Sequence, residues 1–455
     1  MKPTLLPLRS AVEGLLWPPV QVGPAASIAT LVSWLDASQW LSPHDLASHA
    51  RQQLASLADH CQEASPGFAR RLAAAGLTAA DLGNPGGLQR LSPITRRDIQ
   101  LAGASFYCTG IPKTHMPTGE SSTSGSTGEP VVIRRTSISN LMWMAQGARD
   151  HLWHRRDMRA PFASIRANLP AVARLKDWGP PHNLLFATGP GLGLPISLLP
   201  DRQAAELRAF RPGTLLSYPN NLDVLIDALA EGGKPWPELK HLQTIGETLS
   251  PRIRDKARAY FGLEIDDLYS AQEVGIIAVQ CPDCRQYHVV AETVVVEVVD
   301  ADGRPCRPGE IGRVLVTDLT NFATPVIRYD IGDYAEVGEP ATCGRGLPTL
   351  SRIVGRDRNL IVMPDGTRRW PLTGYHRFPE VGPILQFQFI QVDRDTIEAH
   401  LVTGRPFNSR DERAFRDIVC EALGHPFELV IHYHEGALQR GPNGKFEDFV
   451  CRVVP

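Results

Sequence analysis

Thr118-Gly-Glu-Ser-Ser-Thr-Ser-Gly-Ser-Thr-Gly-Glu-Pro130, followed directly by Val131-Val-Ile-Arg134, is the stretch from which the rest of the chain can be read. Residues 116–130 are dominated by Ser, Thr, Gly and Pro, which is loop chemistry. The β-branched residues after them read as a strand. Backbone N–H groups freed by glycine can wrap phosphate oxygens, and hydroxyls add donors without bulk. The loop is not of the Walker A type, because no Gly-Lys-Ser/Thr follows. A flexible Gly/Ser linker has a similar composition. A linker does not, however, end abruptly in a β-branched strand with several downstream motifs that agree with a phosphate reading.

Upstream of the loop, Leu46–Ala58 and Phe68–Ala75 carry apolar residues at helical spacing. Thr95 is a good helix N-cap, with Asp98 at the third helical position. Downstream, Leu184–Ala187, Thr214–Tyr218 and Leu242–Ile245 read as short buried strands, and Asn221–Glu231 and Pro251–Phe261 as helices. That alternation implies a parallel or mixed sheet covered by helices. From Val289 to Val316 the pattern becomes alternating β, with Thr293–Val299, a turn at Asp302-Gly303 and Gly312–Thr317, which implies an antiparallel, barrel-like part. A boundary falls at Ile353–Arg358. Beyond it come a hairpin, from Leu360–Met363 through Pro364-Asp365-Gly366 to Arg368–Trp370, and a short α+β segment. The fold class is α/β: a large N-terminal domain of mixed sheets covered by helices, with a small antiparallel β-barrel-like part, over 1–354, and a small α+β C-terminal domain over 355–455.

Further motifs carry chemistry. Tyr269-Ser-Ala-Gln-Glu273 follows a strand-like stretch and offers a carboxylate. A hard cation bound to phosphates takes few carboxylates and several waters. In Pro325-Val-Ile-Arg-Tyr-Asp-Ile-Gly-Asp333 the final carboxylate has two acceptor oxygens, which suits a vicinal diol. A guanidinium such as Arg356, in Gly355-Arg-Asp-Arg358, suits phosphate geometry. Thr244-Ile-Gly-Glu-Thr-Leu-Ser250 contains Gly246 and Glu247, the latter equally readable as a residue just before the helix at Pro251. Cys281-Pro-Asp-Cys-Arg-Gln-Tyr-His288 has spacing suited to tetrahedral zinc, with Cys343 as a fourth ligand from a distant loop. Such a closed site would be structural. A thioredoxin-like redox pair has no supporting context around these cysteines.

Thr123-Ser-Gly-Ser-Thr-Gly-Glu-Pro130 resembles the phosphate loop of the adenylate-forming superfamily of acyl- and aryl-CoA synthetases, adenylation domains and luciferases. Leu91-Ser-Pro-Ile-Thr-Arg-Arg-Asp98 and Ser217-Tyr-Pro-Asn-Asn221 narrow the resemblance to the phenylacetate–CoA ligase-like branch. So does Val131, where many superfamily members carry Lys. The resemblance runs from about residue 60 to the C-terminus. It implies that Ser121, Ser122, Thr123, Ser124, Gly125, Ser126, Thr127 and Gly128 hold the ATP phosphates. Gly246 and Glu247 would line the adenine and acyl pocket, and Tyr269 and Ser270 would lie near the adenine and α-phosphate. Glu273 would ligate Mg²⁺, and Asp333 would take both ribose hydroxyls. Arg356 would contact phosphate at a hinge before a mobile C-terminal domain, where Arg358 stands in place of the family's Asp. Pro442-Asn-Gly-Lys-Phe446 resembles the motif whose lysine, here Lys445, bridges the acid carboxylate and ATP.

The resemblance implies a two-step ligase using ATP, Mg²⁺, a structural Zn²⁺ and CoA. A small carboxylic acid, aryl or arylacetyl, attacks the α-phosphorus and pyrophosphate leaves; CoA thiol then attacks the acyl-AMP and AMP leaves. An amine acceptor giving an amide is the alternative within this class, and a non-catalytic nucleotide-binding scaffold is the alternative outside it. For the acid pocket the apolar candidates are Trp143, Leu184–Phe186 and Leu192–Leu199. The 455 residues are 43% hydrophobic and 21% charged with a net charge of −2, which does not suggest nucleic acid. No uninterrupted apolar stretch of about 18 residues occurs, so no membrane span is expected. Eight cysteines in a chain of this length do not make a disulfide scaffold, and a cytoplasmic protein is the expectation. A homodimer stays open as an assembly. One prediction follows from the position of Lys445: Lys445→Ala should impair adenylate formation far more than turnover of a supplied acyl-adenylate. Equal loss in both half-reactions, measured separately, would remove that role.

Overall fold

The computed structural model describes residues 7–122, 131–356, 360–369, 371, 373–436, 438 and 446–453. They form two compact units, Met1–Val354 and Gly355–Pro455.

The first unit opens with helices α1 (Pro24–Ser38), α2 (Pro43–Ala64), α3 (Pro66–Ala74), α4 (Ala79–Leu82) and α5 (Arg96–Ala102). Their starts are written locally. Ser42 and Ser65 cap α2 and α3, each with proline at the first helical position, where the missing N–H costs nothing. Thr95 and Asp98 form the capping box expected for α5. A two-stranded antiparallel sheet follows, β1 (Thr118–Ser122) and β2 (Val132–Thr136), paired from Thr118↔Thr136 to Ser122↔Val132. The loop read over 116–130 is therefore shorter than its composition suggests. Ser121 and Ser122 belong to a strand, where a five-residue cross-chain ladder outweighs weak local β-propensity. Thr123 to Gly128 lie outside the described residues.

A helix α6 (Ser137–Trp153) runs straight on from β2, capped by Thr136. Then come β3 (Phe162–Arg166), β4 (Ala173–Leu175), α7 (His182–Leu185), β5 (Gly191–Pro195), α8 (Pro200–Phe210), β6 (Thr214–Ser217), α9 (Pro219–Glu231), β7 (His241–Ile245), α10 (Pro251–Phe261) and β8 (Ile265–Ala271). Strands β5, β3, β6, β7 and β8 lie side by side and parallel, with β4 antiparallel at the edge. Their apolar faces pack with Leu207 of α8, Leu222, Leu225 and Leu229 of α9, and Ile253 of α10. The strand expected at Leu184–Ala187 is instead the end of α7, with Leu185 and Phe186 buried against α1 and α6. A four-residue apolar run cannot distinguish the two by pattern alone.

From β8 the sheet continues through β9 (Gly275–Gln280), β10 (Tyr287–Val289), β11 (Val294–Val299), β12 (Ile311–Asp318), β13 (Tyr329–Val337) and β14 (Thr349–Arg356), whose last residues cross into the second unit. The hydrogen-bonded order is β11-β12-β13-β14-β10-β9-β8-β7-β6-β3-β5-β4, so parallel and antiparallel parts form one mixed sheet. The second unit holds β15 (Ile361–Val362), β16 (Arg368–Arg369), β17 (Ile384–Gln391), β18 (Thr396–Thr403), α11 (Ser409–Leu423), β19 (Glu428–Tyr433) and β20 (Phe449–Cys451). Its four-stranded sheet, ordered β19-β18-β17-β20, packs Phe389, Ile397, Ala399 and Leu401 against Phe415, Ile418 and Val419 of α11. Among the described residues no helix is long and apolar enough to cross a membrane.

The turn into β13 is held by Arg328, a buried non-glycine residue with φ 54°. Its guanidinium donates to the carbonyls of Gln89 at 2.9 Å and Leu91 at 2.6 Å and meets Glu297 at 3.3 Å. Ile94 N–H donates to Arg328 O, and Asp330 N–H to Ile94 O. The Leu91–Asp98 stretch is thereby docked on the motif that ends at Asp333. Burial raises the Glu297 carboxyl, and Arg328 works against that rise. Arg328→Leu should cost about 3–5 kcal/mol by leaving a buried carboxylate uncompensated. Glu297 would then bind its proton more tightly folded than unfolded, so stability falls as pH rises through the carboxylate range. The deficit should be larger at neutral pH than near about pH 4, and Glu297→Gln in the same chain should recover part of it. Thermal unfolding of the single and double variants at both pH values measures this.

Candidate active site

The parallel strands bring three of the sequence motifs to one edge. At the carboxyl end of β6 lies Ser217-Tyr-Pro-Asn-Asn221, at that of β7 Gly246-Glu247, and past β8 Gln272-Glu273. Ligands of open α/β sheets bind outside the carboxyl ends of the strands. Gly246 has φ 76°, a conformation glycine adopts without strain. It turns the chain so that the Glu247 carboxylate reaches back to α9. That carboxylate accepts from Asn220 N–H and from Asn220 Nδ2, both at 3.1 Å. No side chain at the N-cap residue Tyr218 caps α9, and Glu247 supplies the anion that a helix N-terminus favours.

The central feature is a pair of cross-sheet hydrogen bonds. Tyr269 Oη donates to Asp333 Oδ2 at 2.8 Å, and Tyr329 Oη donates to Glu273 Oε1 at 3.2 Å. All four residues are buried. Each motif thus contributes one tyrosine and one acid, and each tyrosine serves the other motif's acid. In the sheet order β8 and β13 are four strands apart, about 19 Å if the sheet were flat. A tyrosine and an aspartate cannot span that, so the antiparallel part curls over until β13 faces β8. Ser270 sits at the irregularity in the β8–β9 ladder.

Arg135, which sequence reasoning missed, lies beside this cluster. It is buried at the end of β2 and donates through Nη2 to Gln272 O. Burial pulls its guanidinium below the usual range, while Asp318 and Glu273 pull it back up. Its guanidinium carbon stands 5.3 Å from the ring centre of Trp143 on α6. A Cβ added at Gly275 would lie 3.6 Å from that same indole. Trp143 is 47% exposed, with Arg135 over its ring and Gly275 of β9 beside it. The other apolar candidates divide differently. Leu185, Phe186, Leu192 and Leu194 are consumed by core packing, and Leu184 and Leu199 face outward. Nothing in the local sequence marks Arg135, the fourth residue of β2.

Arg356 ends β14. Thr123, Ser124, Gly125, Ser126, Thr127, Gly128, Arg358 and Lys445 lie outside the described residues.

A second cluster gathers Cys281, Cys284, His288 and Cys343, whose ligand atoms all lie within 4.8 Å of one another. Cys281 and Cys284 occupy the turn between β9 and β10, His288 is on β10, and Cys343 comes from the connection between β13 and β14. His288 Nε2 is 3.3 Å from Cys343 Sγ and 3.6 Å from Cys284 Sγ. Its other ring nitrogen faces Leu347 O at 3.4 Å. Burial pulls the imidazole down to about 4, which keeps it in the neutral form a metal ligand needs, and pushes the Cys281 thiol up to about 12. Three sulfurs and one neutral imidazole converging from two separate loops fit a closed tetrahedral ion.

No protein-family profile matches the chain. It is 25% identical over 334 residues to a phenylacetate–coenzyme A ligase of Thermus thermophilus, covering 69% of this chain and 70% of that one. It is likewise 25% identical over 349 residues to the phenylacetate–coenzyme A ligase of Escherichia coli, covering 72% and 75%. Among solved structures it is similar to 2-hydroxyisobutyryl-CoA ligase in a postadenylation state, with a TM-score of 0.71, 16% identity and 88% of each chain covered.

Proposed function

We infer that this chain, related in sequence to phenylacetate–coenzyme A ligases and built on the fold of adenylate-forming ligases, is an ATP-dependent, AMP-forming acid–thiol ligase. It makes an acyl-AMP from a small carboxylic acid and passes the acyl group to coenzyme A. The observation that carries this reading is the crossed pair Tyr269–Asp333 and Tyr329–Glu273, which gathers a diol-binding acid and a cation-binding acid in one buried cluster.

In the first step an oxygen of the acid carboxylate attacks the α-phosphorus of ATP and pyrophosphate departs. Asp333, oriented by Tyr269, accepts from the ribose hydroxyls and so sets where the α-phosphorus lies. Glu273, oriented by Tyr329, would hold Mg²⁺, which when bound supplies positive charge against the phosphates. The Ser/Thr/Gly loop offers N–H and hydroxyl donors to the same oxygens, and Lys445 and Arg356 add positive charge. There is little covalent work for the side chains; positioning and electrostatics dominate. In the second step the thiol sulfur attacks the acyl carbonyl, its proton is lost to solvent or base, and AMP leaves. Reorientation of the unit from Gly355 onward between the steps would let Lys445 serve only the first. Trp143 supports an aryl or arylacetyl acid, because its partly exposed indole stands beside Arg135, which is bonded to Gln272 next to Glu273.

Pyrophosphate exchange across phenylacetate, benzoate and aliphatic acids should show turnover, strongest with the aryl acids. Added CoA should then give a thioester and free AMP. Exchange followed by product only with amines would move the chain to amide formation. No exchange with any acid, despite ATP binding, would make it a nucleotide-binding scaffold. Asp333→Asn should raise the KM for ATP about tenfold or more, as for loss of a hydrogen bond to a charged group.

Cys281, Cys284, His288 and Cys343 are proposed to hold a structural zinc that clamps the β9–β10 turn to the β13–β14 connection. Purified protein should contain zinc, and Cys343→Ser should lose it. Chelation should lower the unfolding temperature of the parent chain and leave that of the variant unchanged. Absence of zinc from protein grown with zinc present would end this assignment.

A further inference from the structure

The second unit carries a group of side chains that the ligase reaction does not use. Strands β18 and β19 run parallel, with His400 opposite His432. Along β18, Ile397, Ala399 and Leu401 are buried against α11. Strand alternation therefore puts Glu398 and His400 on the opposite face. Past the end of β19, His434 N–H donates to Leu401 O at 2.9 Å, so the ladder continues and His432 and His434 share that outer face.

The rings are close. His400 and His432 stack with centroids 4.8 Å apart at 20°, and His434 lies 5.2 Å from His400. One ligand atom from each of Glu398, His400 and His432 falls within 4.8 Å of the others. His400 Nε2 is 3.3 Å from Glu398 Oε2. Two ligands of a tetrahedral ion, each about 2.0–2.1 Å from it, stand about 3.3 Å apart. The remaining nitrogen, His400 Nδ1, is 3.0 Å from His434 Nε2. That is the arrangement in which a ligating histidine donates its other N–H to an outer partner, which fixes its tautomer.

We propose that the outer face of the β18–β19 ladder is a transition-metal site, with Glu398, His400 and His432 as ligands and His434 as the hydrogen-bond acceptor that orients His400. Two imidazoles and a carboxylate select a borderline divalent ion such as zinc, nickel or cobalt over magnesium or calcium. Three protein ligands leave a position for water or an outside group. The site shares no residue with the Cys281 cluster and lies wholly in the unit Gly355–Pro455.

Cobalt titration of the full chain under reducing conditions separates the two clusters. Cobalt bound at Cys281, Cys284, His288 and Cys343 shows thiolate-to-metal charge transfer in the near ultraviolet. Cobalt at Glu398, His400 and His432 shows only ligand-field bands. The wild-type chain should take up a saturable equivalent with no thiolate band, displaced by zinc and not by magnesium. The double variant His400→Ala/His432→Ala should lose that equivalent and keep any thiolate-type cobalt and its unfolding temperature. His434→Ala should weaken it about 10- to 100-fold. Uptake confined to the thiolate-type spectrum in the wild type, or an unchanged second equivalent in the double variant, would overturn the proposal.

Discussion

The hydrogen bond from Tyr269 to Asp333 marks the constraint on which the first unit depends: a twelve-stranded sheet that curls until its antiparallel end meets its parallel end. The curl is driven by what it encloses. Ile133, Ile277, Val279, Val289, Val294, Val314, Val316 and Val326 fill the inside, nearly all without solvent contact. Apolar burial at about 25 cal/mol per Å² makes such an interior the main stabilising term. The backbone adapts at a few points: irregular ladder positions at Tyr269/Ser270 and Arg313/Leu315, and the left-handed turn at Arg328. Bulges of this kind bend strands and raise local twist. Without them the two acids would sit on distant strands and no common site would exist.

Placing two carboxylates in that interior has a cost, because a buried charge loses its hydration. The crossed tyrosines offset part of it, since hydrogen bonds to a charged acceptor are worth more than neutral ones. The same logic recurs under α6. There Arg156 and Asp150 pair at 2.5 Å while Gln243 of β7 donates to Asp150 at 2.7 Å, so α6 is tied to the strand that leads to Gly246. A buried ion pair of this type adds little net stability; here it orients one element on another.

Much of the parallel half was legible because its signals are local. Helical spacing over Leu46–Ala58 and Phe68–Ala75, the Thr95/Asp98 box and the apolar runs of β6 and β7 each specify their own element. The motif acids Glu273 and Asp333 were legible as residues, but the crossed tyrosine bonds that join their motifs were not, since these depend on sheet curvature across 64 and 56 positions of sequence. Glu247 shows the reverse: its place was found, while its partner Asn220 comes from another strand's end. Leu184–Ala187 misled because helix and strand share the same short apolar run. Helices α6 and α8 were missed, as their apolar faces are diluted by Ser, Asn, Arg and Gln; α1 was missed although Ile28, Val32 and Leu35 keep helical spacing. Arg135 carries no motif at all; only its burial next to Glu273 distinguishes it.

The β1–β2 hairpin shows why an apolar residue stands at Val131. The hairpin is held by the β1–β2 ladder, by Asn321 Nδ2 and Thr324 Oγ1 donating to Arg134 O, and by Arg134 N–H donating to Thr324 Oγ1. That anchoring sets the alternation of β2. Val131 and Ile133 point into the curled interior at 2% and 0% exposure, while Arg134 lies against Tyr107 on the other side. A lysine at 131 would carry its ammonium into the apolar cluster, which this docking of β2 does not tolerate. Arg135, further along the same strand, is bound through its guanidinium to Gln272 O and electrostatically coupled to Glu273. The buried valine and the buried arginine are two consequences of one strand alternation.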